Sequence, residues 1–251
     1  MKFLFIFTLA GLVIACGTDT QSMSEPSDGS ILDVSLDQLV GDPDSGSFVP
    51  DAMMPMPILD RGMGPVSTNP SVLIINEVLY DPGPELLGDA NGDGSRDAYE
   101  DEFIEFINTG DRPLNAGGLT IYDEQSFQQG TPRHLIPDNT VIPAGGALVI
   151  FGGGIPTGDF GGAVVQVANG YDQQLNINNS GEVIRVFSKG EEILSFDCAP
   201  LSDNPNASYT RSPDVTGPFT HHGRIDFNED GENDEITFTP GRRSTGDPFV
   251  E

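Results

Sequence analysis

The chain reads as an all-β protein, an antiparallel sandwich or barrel formed by residues 71–251. Three observations give that class. From Ser71 onward, β-branched and aromatic runs of four to nine residues recur; Gly, Pro, Asn and Asp punctuate them; and no segment has the length and spacing of a helix with one apolar face. The runs are VLIINEVLY (72–80), EFIEFIN (102–108), LTIYD (119–123), ALVIFGG (147–153), AVVQVA (163–168), EVIRVFS (182–188), EEILSFD (191–197) and ASYTR (207–211). FIEFI alone would suit a helical face, but its β-branched and aromatic content and the early stop at NTGDRP make it a strand. Helices should be few. With 251 residues, 31 Gly, 20 Pro and no Trp, one sizeable domain plus irregular sequence is expected.

The net charge is −28. Approach to a phosphate backbone would be repelled before any contact formed, so nucleic acid is not an expected partner. Cations are the natural ones.

The first residues, MKFLFIFTLAGLVIAC, hold one Lys, an apolar run from Phe3 to Ala15, then Cys16. A membrane-spanning helix needs about 20 apolar residues, so this shorter run predicts a cleaved export signal over 1–15. VIAC resembles the lipobox of bacterial lipoproteins, which implies lipidation of Cys16, a membrane anchor, and the outer membrane or cell surface of a Gram-negative bacterium. From residue 17 to 70 nine acidic side chains face one Arg, amid Ser, Pro, Gly and Met. Such composition buries too little apolar surface to offset its ordering entropy, so 16–70 is expected to be a flexible acidic linker of roughly 40 Å coil dimension. Within it, ILDVSLDQLV (31–40) has the makings of a short helix. With Cys16 lipidated, Cys198 has no second cysteine to pair with and reads as a small buried apolar residue.

The densest chemistry lies in DANGDGSRDAYEDEFIEFIN (89–108). Asp89, Asn91, Asp93, Gly94, Ser95, Asp97 and Glu100 fall at the offsets of helix-loop-helix calcium sites, where a chain turning at glycine brings alternate oxygens inward to a cation that takes six to eight of them. The flanks differ, because YDPGPELLG before Asp89 opposes a helix and strand-like sequence follows. A calcium loop set between two strands is therefore expected. Asp89, Asn91, Asp93 and Asp97 would give side-chain or water-bridged oxygens, Ser95 its carbonyl, and Glu100 a bidentate carboxylate. Two like charges about 6 Å apart repel by about 3 kcal/mol at an effective dielectric of 20, a cost that Ca²⁺ reverses. An unpaired loop of this kind implies affinity on the order of 10⁻⁴ to 10⁻³ M. DFNEDGENDE (226–235) repeats the opening offsets at Asp226, Asn228 and Asp230, adds Glu232 and Asp234, but has Thr237 at the twelfth place; it is carried as a second metal candidate.

Enzymatic signatures are scarce. G-x-S-x-G, H-E-x-x-H and G-x-x-x-x-G-K-[ST] are absent from the chain, and the Gly152–Gly154 run, without a following Lys, reads as a loop. His221 and His222 are adjacent and would point to opposite faces of a strand; His134 stands alone at a strand edge. No catalytic residue is assigned.

Several stretches, taken in order, resemble the lamin tail domain: IINEVLYDP from Ile74, DEFIEFINTGDRPLNAGGLTIYD from Asp101, VIPAGGALVIF from Val141, LNINNSGEVIRVF from Leu175, SYTRSPD from Ser208 and FTPGRRSTG from Phe238. The resemblance implies an immunoglobulin-like antiparallel β-sandwich over roughly 72–246, serving as a binding or architectural module and supplying no catalytic residues. The family's third-strand Trp is missing where Leu119 follows Gly117 and Gly118, so that part of the core must be filled otherwise. Residues 81–101 and 152–172 look like insertions. Glu77 and Glu105 sit among apolar neighbours; if buried, each needs hydrogen-bond partners or a cation, and a structural role is expected, with Arg185 or Arg211 as candidate partners. The function read from all this is an exported, lipid-anchored envelope protein that displays a calcium-stabilised sandwich to an unidentified protein or polymer ligand. The competing classes are a calcium-dependent secreted hydrolase and a purely structural envelope protein. The oligomeric state is left open.

Overall fold

A computed structural model of the chain describes residues 65–201, 203, 206–226 and 236–250. The expected signal at 1–15, Cys16, the linker as far as residue 64 and its helical stretch at 31–40 therefore lie outside the described residues, whereas residues 65–70, expected as the end of the linker, are held to the domain by a bridge from Ser67 to Leu114 and by the Asn69 cap on Pro70–Val72.

Twelve strands form between residues 73 and 221: β1 (Leu73–Leu79), β2 (Phe103–Asn108), β3 (Leu114–Asn115), β4 (Thr120–Tyr122), β5 (His134–Leu135), β6 (Val141–Ile142), β7 (Ala147–Phe151), β8 (Val164–Val167), β9 (Val183–Ser188), β10 (Glu191–Asp197), β11 (Tyr209–Arg211) and β12 (Phe219–His221). They make a six-stranded sheet in the order β12-β11-β1-β2-β7-β8, a four-stranded sheet in the order β10-β9-β4-β5, and a small β3-β6 pair. Each of the expected β runs contributes a strand. A single α-helix, α1 (Glu124–Gln129), stands among the described residues. Its first turn is closed by reciprocal bonds between Asp123 and Ser126, and Gly130 at φ 70° ends it in the left-handed region.

The alternation of the strands places the core. Leu73, Ile75, Val78, Ile104, Phe106, Leu148 and Ile150 of the larger sheet meet Ile121, Ile184, Val186 and Phe196 of the smaller one in one apolar cluster. Each such side chain contributes about 1.5–3 kcal/mol by leaving water. This is a β-sandwich, as the sequence predicts. Leu119, where the resemblance called for a different filling, is buried in the same cluster beside Ala116, Ile136 and Ile142.

Two features were not legible. All strand pairs in the three sheets are antiparallel except β7 and β8, which run parallel. Parallel neighbours need a crossover, and residues 152–163 supply it. The outer face of the larger sheet is also covered, by the C-terminal segment: Phe238 packs with Leu79, Phe103, Val149 and Phe151, and Phe249 with Ile107 and Ala147. The ladder shifts register between Ile75 and Glu77 of β1, so that Asn76 and Glu77 both reach partners on this covered face.

Candidate functional site

The loop joining β1 to β2, residues 80–102, crowns one end of the sandwich. Its acidic side chains serve first as acceptors for its own backbone. Asp89 accepts from the N–H of Asp93 at 3.2 Å and of Gly94 at 2.8 Å; Asn91 Oδ1 accepts from Asp93 at 3.0 Å; Asp93 Oδ1 accepts from Ser95 at 2.9 Å; and Asp97 Oδ1 accepts from Tyr99 and Glu100. Gly92 and Gly94 turn the chain at φ 70° and 89°, where a Cβ would strain it. Buried Asp101 ties the two halves together, its Oδ1 taking the N–H of Asn91 and its Oδ2 that of Asp97. Burial pushes this carboxyl up, and the backbone donors draw it partly back. Arg96, the loop's lone cation, donates to the carbonyls of Pro82 and Gly83.

The glycine run beneath explains how the loop is seated. Gly152 donates to Glu102 O at 2.7 Å, Gly153 to Glu100 O at 3.1 Å and Thr157 to Asn91 O at 3.0 Å. A Cβ on Gly152 would overlap the carbonyl of Tyr99, and one on Gly154 would overlap the Asn91 amide. The run therefore exists for close approach of two backbones. The sequence read it correctly as a loop but gave no hint of what it touches.

Of the predicted calcium ligands, Asp89 Oδ1 and Asn91 Oδ1 are brought together on one amide, that of Asp93. Asp93 Oδ2 turns to the N–H of Ile155, and Asp97 to the 99–100 turn. Among the described residues no three His, Cys, Asp or Glu side chains are gathered as a metal set. For the second candidate, Asp226 is described, while Asn228, Asp230, Glu232 and Asp234 lie outside the described residues.

The expected pairing of Glu77 and Glu105 with Arg185 or Arg211 is overturned. The two glutamates face each other across β1 and β2, wholly buried on the covered side. Glu77 accepts from Ser208 Oγ at 2.5 Å and from the N–H and hydroxyl of Thr239; Glu105 accepts from Asn76 Nδ2 at 2.8 Å and Gly241 N–H at 2.8 Å. Burial raises both carboxyls, Glu105 well above its ordinary range with the help of the Glu77 charge. The arginines are used elsewhere. Arg185 pairs with Glu192 and Glu124 on the open face of the smaller sheet, and Arg211 donates to the carbonyls of Ile75 and Gly217. Hydroxyl, amide and backbone donors satisfy these carboxyls, and the charge that most offsets burial at Glu77 is that of His222.

The histidines divide as the strand alternation predicts: His222 is buried against Thr239 Oγ1, and His221 is exposed beside Asp203 and Tyr209. His134, at the sheet edge, is buried and bonded to Gln166, and burial lowers its pKa. Cys198 is a buried thiol that donates to Glu182 O. Glu77, Glu105 and His222 do form a cluster of carboxylates with a histidine, yet all three are buried under the C-terminal segment.

What sequence reasoning missed is a cavity of about 370 Å³ beside the acidic loop, between Asp81 and Glu102 on one side and the 176–179 segment on the other. Asp81 follows LY with no local pattern to mark it, and Glu102 stands in the acidic 89–108 stretch without a place in its calcium spacing.

Fold and loops together define an immunoglobulin-like β-sandwich module, with its elaborated loops at one end. A family model described as the Lamin Tail Domain matches residues 66–198, more than half of the 251 residues. The chain belongs to the lamin tail domain family, whose members are non-catalytic immunoglobulin-like domains. The match closes at Cys198, before β11 and β12 complete the larger sheet. No curated protein and no solved structure matches the chain.

Proposed function

We propose that this protein is an exported, lipid-anchored envelope protein that presents its lamin tail domain as a binding module, with the loop end as the contact face. One observation carries the reading. Leu86 is 67% exposed and Ile155 76%, and Leu87 and Tyr99 are also open to solvent; all four lie on the acidic loop or the glycine run that seats it. Several large apolar side chains left open along loops rich in carboxylates support a surface that meets a partner. Anchoring at Cys16 and the acidic linker would hold that face away from the membrane.

Calcium belongs to the same proposal as a brace for the loop. The offsets of Asp89, Asn91, Asp93, Ser95, Asp97 and Glu100 support it, as do the two oxygens already meeting at the Asp93 amide. Accepting an N–H leaves each oxygen a second lone pair for a cation. Binding would draw Asp93, Asp97 and Glu100 toward Asp89. The test is a thermal melt of the full mature chain in EDTA and in 10 mM Ca²⁺, beside Asp93→Ala. With a dissociation constant on the order of 1 mM, the ion should add about 1.4 kcal/mol, or roughly 3–6 °C. The variant should lose most of that rise. Identical melts with and without the ion would remove calcium from the proposal.

A further inference from the structure

The cavity beside the acidic loop has a chemistry of its own. Leu79 pairs with Phe103 at the end of the β1-β2 ladder, so Asp81 and Glu102 stand where the loop leaves and rejoins the sheet. The segment between β8 and β9 closes the other side and takes one oxygen of each: Asn179 Nδ2 donates to Asp81 Oδ1 at 2.6 Å, and Ile177 N–H to Glu102 Oε2 at 3.0 Å. Asp81 Oδ2 is buried without a hydrogen bond of ordinary length, the carboxyl being eased beyond the Asn179 bond by the charge of Arg96 and the backbone of Asn206. An acceptor left so costs about 1–3 kcal/mol, and more when charged. No Lys or Arg lines the cavity, and the nearby Arg96 spends its guanidinium on the carbonyls of Pro82 and Gly83. Asn176 and Asn178 complete a polar wall, and the half-exposed ring of Tyr99 forms a lip.

Two carboxylates, amide groups, an aromatic face and a volume of about 370 Å³ suit a particular guest. A calcium ion wants six to eight oxygens at close range, which two carboxylates in so wide a space do not supply. An alkylammonium or guanidinium group needs one or two carboxylates for its N–H donors and gains from an aromatic face beside it. We propose that this cavity receives the protonated side chain of a lysine or arginine from a partner protein. The proposal rests on the reading of the loop end as the contact face, and it names the partner's anchoring chemistry. Burial raises the carboxyls of Asp81 and Glu102, and an arriving cation would favour their charged form.

The test uses the full mature chain, labelled with ¹⁵N, and four probes: Nα-acetyl-lysine methylamide, Nα-acetyl-arginine methylamide, the neutral Nα-acetyl-norleucine methylamide, and CaCl₂. The cationic amides should give saturable shifts of the Asn176–Asn179 amide signals, and the neutral amide none. Asp81→Asn should weaken binding about tenfold. Tyr99→Ala, at an exposed position where the fold has little at stake, should weaken it by about threefold. Glu191→Gln, at an exposed position on β10 away from the cavity, should leave binding unchanged, which separates the cavity from a general effect of removing a carboxylate. Equal binding of the neutral amide, or undiminished binding in both Asp81→Asn and Tyr99→Ala, would overturn the proposal. So would competition by Ca²⁺ that persists in Asp93→Ala, since the cavity would then be a metal site.

Discussion

Replacing Gly152 by Ala should detach the acidic loop from its seat. Gly152 closes the β7 end with a 2.7 Å bond to Glu102 O, and a Cβ there would overlap the backbone carbonyl of Tyr99. A backbone carbonyl cannot rotate aside as a side chain does, so either β7 or the 99–102 segment must shift. Overpacking of this kind costs about 1–3 kcal/mol, and losing the Glu102 bond adds about 1 kcal/mol. A total of roughly 2–4 kcal/mol corresponds to a fall of roughly 4–16 °C in melting temperature for a domain of this size. Gly118→Ala is the matched control. Gly118 sits at φ 84° with nothing within 4 Å of an added Cβ, so it bears the left-handed strain without a clash and should cost only about 1 kcal/mol. Urea unfolding of the full chain measures both, with the midpoint reporting stability at constant slope. If Gly152→Ala unfolds no earlier than Gly118→Ala, the loop does not ride on the glycine run, and the contact face loses its support.

Two further outcomes follow from the buried charges. Glu77, Glu102 and Glu105 have folded pKa values raised by burial, so in the window above the ordinary carboxyl value of 4.5 the native state holds more protons than the unfolded chain. Their contribution is whole below that value and is lost as pH rises through the folded ones, so the melt should come later at pH 5 than at pH 8. His134, whose pKa burial lowers, opposes this as one group against three. High salt screens the surface charge of −28 but not the covered pair, so the trend should persist in 1 M NaCl and flatten in Glu105→Gln; a trend abolished by salt would refute the assignment. Asp123→Ala should cost about 3 kcal/mol in urea unfolding, because α1 would lose its cap and Arg133, 1% exposed, its 2.7 Å carboxylate partner, leaving Gln125, the Tyr171 carbonyl and ring, and distant Asp172. A change under about 1 kcal/mol would mean that Asp172 replaces the lost charge.

The strands were legible because each obeys a rule that acts within a few residues. EVIRVFS and EEILSFD alternate and end in turn residues, and they pair as β9 and β10 around Lys189 and Gly190. The parallel partnership of β7 and β8 was not legible, since direction is decided by where the crossover finds room, here under the acidic loop. The same holds for the C-terminal cover. FTPGRRSTG shows turn chemistry, but nothing in it announces that the N–H groups of Thr239 and Gly241 will satisfy two glutamates on strands more than a hundred residues earlier.

The candidate site divides along the same line. The acidic loop could be read because Asp89 to Glu100 act through spacing on one short segment, and the turns that spacing implies are present in its backbone bonds. Asp81 and Glu102 could not be read, because a site assembled from a strand end, a strand start and a distant loop leaves no periodic trace in any of them. Of the two solutions open to buried Glu77 and Glu105, hydrogen-bond donors or a cation, the arginines named for the second were not the ones used, for a related reason. Desolvation favours the neutral form, a neutral carboxyl is satisfied by hydroxyls and backbone N–H groups, and those donors are supplied by whichever segment covers the sheet. A carboxyl short of such donors keeps an unmet need for one, and among the described side chains of the loop end Asp81 Oδ2 is the buried oxygen left in that condition.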